Sequence, residues 1–258
     1  MLFTSAELSA MVGNYFWPFV RIAAFIAAMP VFTSTFINTR IRLILAIALT
    51  IITVPLVPEV PQIDAMSING VMLILHQILI GIAMGGIFHM VFAVFTIGGQ
   101  IIAMQMGLGF ATMIDPVNGS QAPVLSMFYI LLVTLFFFLM DGHLAVIGLL
   151  IDSFNSMPIG TQGISYASFW SIVAWASQMF SSAIMVALPA ITALLLINMS
   201  LGVIGRAAPQ LNIFAVGFSI TITAGFYVIM VSLPIVLTQF DGIIQMAFNL
   251  MKDLVGLK

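Results

Sequence analysis

Residues 68–104 read INGVMLILHQILIGIAMGGIFHMVFAVFTIGGQIIAM, without one Asp, Glu, Lys or Arg. As one helix rising about 1.5 Å per residue, this stretch is roughly 55 Å long, whereas the hydrocarbon core of a bilayer is about 30 Å thick. Tilting absorbs only part of such a mismatch. The stretch therefore predicts either a helix that kinks back on itself or a helix that stands clear of the membrane inside a protein assembly.

The composition of the whole chain agrees with a membrane protein. Of 258 residues, 62% are hydrophobic and 5% are charged, against about 25% charged residues in an ordinary soluble domain. The formal net charge is −2 and no basic run interrupts the chain, which argues against a nucleic-acid partner. The absence of cysteine excludes disulfides, thiolate metal sites and a cysteine nucleophile.

Turn-forming residues divide the chain into about six hydrophobic segments. We predict an all-α integral membrane protein of six long, kinked helices in a single domain, residues 1–258. Four prolines inside apolar segments, Pro18, Pro30, Pro189 and Pro234, are expected to break the helices because each removes a backbone hydrogen bond. The predicted segments lie near residues 12–35, 41–57, 68–104, 123–150, 165–200 and 213–240.

The arginines indicate an orientation. Threading six segments through a membrane places Arg40, Arg42 and Arg206 on one side. Cytoplasmic loops are enriched in Lys and Arg, so that side is predicted to be cytoplasmic.

Three small residues and a histidine recur at steps of four in the uncharged stretch 68–104, at Gly81, Gly85, His89 and Ala93. This spacing puts them on one helical face, and small residues let another helix approach closely. Two interpretations stay open: the face contacts a partner chain, with His89 hydrogen-bonding across, or it contacts another helix of the same chain.

Patterns for catalysis are missing. His76, His89 and His143 share no ligand spacing with a carboxylate, and no H-E-x-x-H or G-x-S-x-G motif occurs. We predict that the protein is not an enzyme and that it has no metal or cofactor. A coupled transporter usually places an acid within a span, whereas every Asp and Glu here lies in or beside a turn signal.

One connection differs from ordinary loops. Residues 105–123 read QMGLGFATMIDPVNGSQAP, so apolar side chains follow a backbone that glycines leave unrestrained. A loop exposed to water gains nothing from this, but a loop in a protein-lined lumen does. We predict a pore plug over residues 106–122, and the alternative is a packed or re-entrant loop without a gating role. The predicted plug and gasket residues are Met106, Gly107, Gly109, Phe110, Met113 and Ile114.

Four long motifs resemble one known family along nearly the whole chain. They read GGQIIAMQMGLGFATMIDP, APVLSMFY, MDGHLAVIGLLIDSFNSMPIG and LLINMSLGVIGRAAPQLNIFAVGFSI. In order and spacing they are similar to the FliR family of flagellar type III export-gate proteins. The resemblance implies a fold like a FliP and a FliQ joined in one chain.

The resemblance also implies partners and a place in the cell. A single FliR joins copies of FliP and FliQ in a helical assembly in the bacterial inner membrane, at the flagellar basal body. FlhB is expected at the cytoplasmic entrance and FlhA nearby, and the substrates are unfolded flagellar subunits. The family's loop plugs the channel, which makes Phe110 and Met113 the occluding side chains.

Three polar residues in the matched motifs are candidates for contacts with other subunits. These are Arg206, for which a plain topology charge is the alternative, and Asp141 with His143, whose spacing of two does not place them on one helical face. Other functions stay open at this point. They are the equivalent subunit of a virulence type III secretion system, and a stand-alone channel or secondary transporter.

Overall fold

The computed structural model describes residues 5–33, 37–58, 60–61, 63, 67–109, 124–160, 163–208, 210 and 213–257. Within these residues the regular structure is helical. The helices are α1 (Ser5–Ala28), α2 (Pro30–Thr33), α3 (Thr39–Thr53), α4 (Ile68–Gln105), α5 (Val124–Leu139), α6 (Gly142–Ser156), α7 (Tyr166–Ala207) and α8 (Ile213–Val255), with a 3-10 turn over Val54–Leu56 after α3.

The three longest helices are continuous. Helices α4, α7 and α8 contain 38, 42 and 43 residues, which corresponds to roughly 57–65 Å at about 1.5 Å per residue. The expectation that prolines break their segments is wrong for Pro18, Pro189 and Pro234, because the helix passes through each of them. Of the two interpretations of the uncharged stretch, the structure favours a helix that extends beyond a bilayer.

A side chain from another helix compensates for Pro189. A proline cannot donate to the carbonyl four residues earlier, here that of Met185. The Nε2 atom of Gln239, on α8, donates to this carbonyl oxygen at 3.4 Å. The polar group that the proline frees is therefore satisfied within the chain.

Two predicted segments are each divided. Segment 12–35 is interrupted at Met29, so that Pro30 begins α2. Segment 123–150 contains α5 and the start of α6, which meet at a bend of 68°. Asp141 at this bend has φ 54°, a left-handed conformation that Asp adopts more readily than most side chains.

Helix α8 continues past the predicted end at residue 240. Asp241, Lys252 and Asp253 lie exposed on it, and buried apolar residues recur on the opposite face with helical spacing. Charges here mark the outer face of an amphipathic helix end instead of a boundary. The buried residues are Ile243, Ile244, Ala247, Met251, Leu254 and Val255.

Four of the described helices are long and apolar enough to cross a membrane, or five spans if the bent pair α5 and α6 counts as one. The prediction of an all-α membrane protein is confirmed, whereas the number of six helices stays a prediction. The four single candidate spans among the described residues are Thr39–Leu56, Ile68–Gln105, Tyr166–Ala207 and Val216–Val255.

The chain divides into two compact units. The first comprises Met1–Met90, Met140–Trp175 and Gln245–Lys258, and the second comprises Val91–Leu139 and Ala176–Ile244. Each has its own aromatic core. In the first, the rings of Phe88 and Phe248 are 5.4 Å apart. In the second, Phe240 packs edge-on against Phe95 and Phe136. That residues 1–258 act as one functional domain stays a prediction.

Candidate functional site

In the first unit, the glycines of the small-residue face pack against α1. A Cβ atom on Gly81 would lie 2.5 Å from the carbonyl oxygen of Arg21, and one on Gly85 would lie 2.7 Å from Cβ of Ala28. Only glycine allows two helices to approach this closely. At these two positions, the structure places the contact within the chain. His89 is exposed and Ala93 is half-buried, so the four residues do not share one environment.

Arg21 is fully buried beside this contact. Its Nε atom donates to Oε1 of Gln77 at 2.7 Å, one Nη donates to the carbonyl oxygen of Ser153 at 2.9 Å, and the other donates to that of Met157 at 2.9 Å. The guanidinium also stands 4.3 Å from the ring centre of Phe154. It thereby ties α1, α4 and α6 together through neutral groups.

Sequence reasoning missed this network. The available signal was an arginine inside an apolar segment, which is costly unless the protein supplies partners. The partners themselves lie 56, 132 and 136 positions away in the chain.

An apolar groove of about 680 Å³ also lies in the first unit, between α4 and the beginning of α7. Its polar side chains are those of His76 and Tyr166. Among the described residues, no group of three or more His, Cys, Asp or Glu is placed to hold a metal ion. The walls of the groove are built mainly of Leu, Ile, Met and Phe side chains.

In the second unit, α4 ends in a turn that begins the predicted plug loop. Gly107 has φ 79°, and its N–H donates to the carbonyl oxygen of Met104 at 3.1 Å. The N–H of Leu108 donates to the carbonyl oxygen of Ala103 at 2.9 Å. This pair of bonds around a left-handed glycine is a Schellman motif. The sequence therefore terminates the helix at a defined residue.

The same turn is held against α8. Met106 is fully buried, and a Cβ atom on Gly225 would lie 2.6 Å from its Cγ and Cε atoms and 2.7 Å from its Sδ atom. A Cβ atom on Gly107 would lie 3.3 Å from the ring of Phe218. The base of the loop thus has a specific neighbour, which sequence reasoning did not identify.

The occluding residues themselves lie outside the described part of the chain. These are Phe110, Met113 and Ile114, and their roles stay predictions. Gly109 is described and is half-buried, with the position of a Cβ 3.2 Å from Cγ of Met104.

The three candidates for contacts with other subunits occupy different settings. Arg206 is exposed in the last turn of α7. Asp141 is exposed and precedes α6, where its carbonyl oxygen accepts from the N–H groups of Leu144 and Ala145. His143 is half-buried in the first turn of that helix.

Comparison with known proteins agrees with this architecture over nearly the whole chain. The model of a family described as "Bacterial export proteins, family 1" matches residues 12–247. The flagellar biosynthetic protein FliR of Pectobacterium carotovorum subsp. carotovorum is 38% identical, over 99% of this chain and 97% of its own length. The chain belongs to the FliR family.

Two further FliR proteins match with similar coverage. FliR of Escherichia coli K12 is 35% identical over 98% of this chain and 97% of its own length. FliR of Aquifex aeolicus is 30% identical over 95% and 94% of the two chains. As a FliR-family protein with several apolar helices of spanning length, the chain is a membrane-embedded component of the flagellar export apparatus.

Proposed function

We propose that this chain is a core subunit of the flagellar type III export gate in the bacterial inner membrane. With FliP and FliQ it forms the channel through which unfolded flagellar subunits cross. Residues 106–122 plug the closed channel, and Phe110 and Met113 supply the occluding side chains. FlhB and FlhA act at the cytoplasmic side.

One observation carries the proposal that the chain works inside an assembly. Large apolar side chains are exposed along α7 from Tyr166, with 83% exposure, to Ile204, with 45%. This distance is roughly 57 Å at about 1.5 Å per residue, and lipid covers only about 30 Å. An apolar surface that extends so far beyond a bilayer needs protein partners to cover it.

Helix α8 supports the same argument. Its exposed large apolar residues extend from Val216 to Met246. Of the 18 consecutive residues that are most apolar in this helix, only 28% are buried within the chain. Long helices of neighbouring subunits, packed side by side, supply a cover of matching length.

Support for a plug comes from the base of the loop. The Schellman turn at Gly107 and the burial of Met106 hold the point where the loop leaves α4. A plug requires such a fixed origin, because a loop free at its base does not return to one closed position.

The test is ion leak across the inner membrane of cells that express the whole gate, with residues 107–118 present or deleted. We expect the deletion to increase leak while FliP and FliQ still copurify with the chain. Gly148→Ala serves as a control on assembly and expression, because a Cβ atom at Gly148 would meet nothing within 4 Å.

Two results would contradict the proposal. Unchanged leak in a fully assembled deletion complex shows that the loop is not the seal. Transport of a small solute by the purified chain alone in liposomes shows a stand-alone channel instead of a gate subunit.

A further inference from the structure

Helix α8 carries two adjacent contacts with the end of α4. Gly225 faces the side chain of Met106, and Phe218 faces Gly107. Residues seven apart lie two turns from each other on one helical face, so Phe218 and Gly225 present a single surface to the turn. Both contacts lie within the second unit.

The side chain of Met106 can pack against α8 at this point because Gly225 has no side chain. All three of the nearest atoms to a Cβ at this position belong to Met106, at 2.6 to 2.7 Å, whereas ordinary contact begins at 3.4 Å. Methionine is flexible and fits irregular gaps. An alanine at position 225 therefore clashes with side-chain atoms of Met106, and the methionine must move to accommodate it.

We propose that Gly225 is a positioning residue for the loop after α4, because its contact with Met106 holds the start of that loop against α8. The role of this contact in sealing rests on the function proposed above. The contact itself is a property of described residues and is testable without that function.

The Schellman turn transmits the contact to the chain that follows. Met106 immediately precedes Gly107, whose left-handed backbone, together with the hydrogen bonds donated by the N–H groups of Gly107 and Leu108, fixes the direction of Leu108 and Gly109. When Met106 sits beside Gly225, this direction is set relative to α8. When Met106 is displaced, the turn keeps its hydrogen bonds but is no longer held against α8.

A chain without cysteine allows a direct structural test. Leu108→Cys places one thiol in the turn, where the native side chain is half-buried, and its labelling by a maleimide is measured in the assembled complex with FliP and FliQ. We expect Gly225→Ala to accelerate labelling several-fold. Gly242→Ala is the matched control, since it lies on the same helix with nothing within 4 Å of its Cβ position.

A second variant removes the same contact from the other side. Met106→Ala should also accelerate labelling, and adding Gly225→Ala to it should produce little further change, because the two residues act through one contact. This variant also covers the case in which Gly225→Ala fails to assemble. Labelling that is unchanged in Met106→Ala, or additive effects of the two substitutions, would overturn the proposal.

Ion leak then separates the positioning role from the proposed plug. If deletion of residues 107–118 raises leak, Gly225→Ala should raise leak as well, and Gly242→Ala should not. A raised leak in the deletion with none in an assembled Gly225→Ala complex refutes the positioning role. If the deletion itself causes no leak, the plug function fails, while the labelling result still decides whether Gly225 positions the turn.

Discussion

Replacing Gly81 by alanine should force α4 away from α1. The added Cβ would lie 2.5 Å from the carbonyl oxygen of Arg21 and 2.9 Å from the backbone nitrogen of Phe25. Backbone atoms cannot rotate aside as a side chain does. Since ordinary contact begins at 3.4 Å, α4 must retreat by about 1 Å, which is a backbone shift of the kind that overpacking forces.

The cost combines three effects. Overpacking costs about 1–3 kcal/mol, and replacing a helical glycine by alanine returns up to about 1 kcal/mol. The same retreat stretches the 2.7 Å bond between Arg21 and Gln77, which lies one turn before Gly81 on α4. A hydrogen bond to a charged group contributes about 1.5–3 kcal/mol. If the bond to Gln77 is lost, the net loss in the free energy of unfolding is expected to be about 1.5–6 kcal/mol.

Gly86→Ala is the matched control on the same helix. A Cβ atom at Gly86 meets nothing within 4 Å, so only the propensity effect applies and stability should be unchanged or higher by up to about 1 kcal/mol. The assay is denaturant unfolding in detergent micelles, followed by tryptophan fluorescence in a background with Trp170→Phe and Trp175→Phe, so that only buried Trp17 reports. Equal effects of the two substitutions would refute the reasoning that close backbone contact explains Gly81.

Three further predictions concern other contacts. Arg21→Lys should lower the free energy of unfolding by about 2–4 kcal/mol, because a lysine keeps the charge but cannot reach three groups at once; an unchanged unfolding curve would contradict the network. Gln239→Leu should lower the free energy of unfolding by about 1 kcal/mol in the same assay. This loss should vanish in a Pro189→Ala background, because the backbone N–H of residue 189 then donates to the Met185 carbonyl oxygen. Gly107→Ala should cost about 1–2 kcal/mol because of its positive φ, and faster hydrogen exchange of the last α4 amides is the measurement; unchanged exchange would show that the left-handed turn is not required.

Much of the secondary structure follows from local pattern. The limits of α3, α4 and the start of α7 lie within a few residues of the predicted segments, because uncharged apolar runs and turn residues act over short distances. The prediction of one continuous segment over residues 123–150 failed, because a single residue marks the point where it is divided. Asp141 bends a continuous apolar run at MDG, and its left-handed conformation depends on the helices that follow and precede it.

The site was predictable to a smaller degree. The glycines after α4 were identified as the base of an unusual loop, and Gly107 is indeed left-handed. Gly225, in contrast, resembles any glycine in an apolar helix, and nothing near it in the sequence indicates Met106. Its role is visible only where two helices meet.

The family resemblance, the membrane class and the limits of α3 and α4 were determined by the sequence alone, since each depends on residues that are neighbours along the chain. Tertiary structure decided which glycine meets which backbone, and it also decided how the charge of Arg21 is satisfied. The physical reason is separation, because the hydrogen bonds of Arg21 join residues 56 and 132 positions apart. Such residues can form hydrogen bonds only when packing brings their helices into contact.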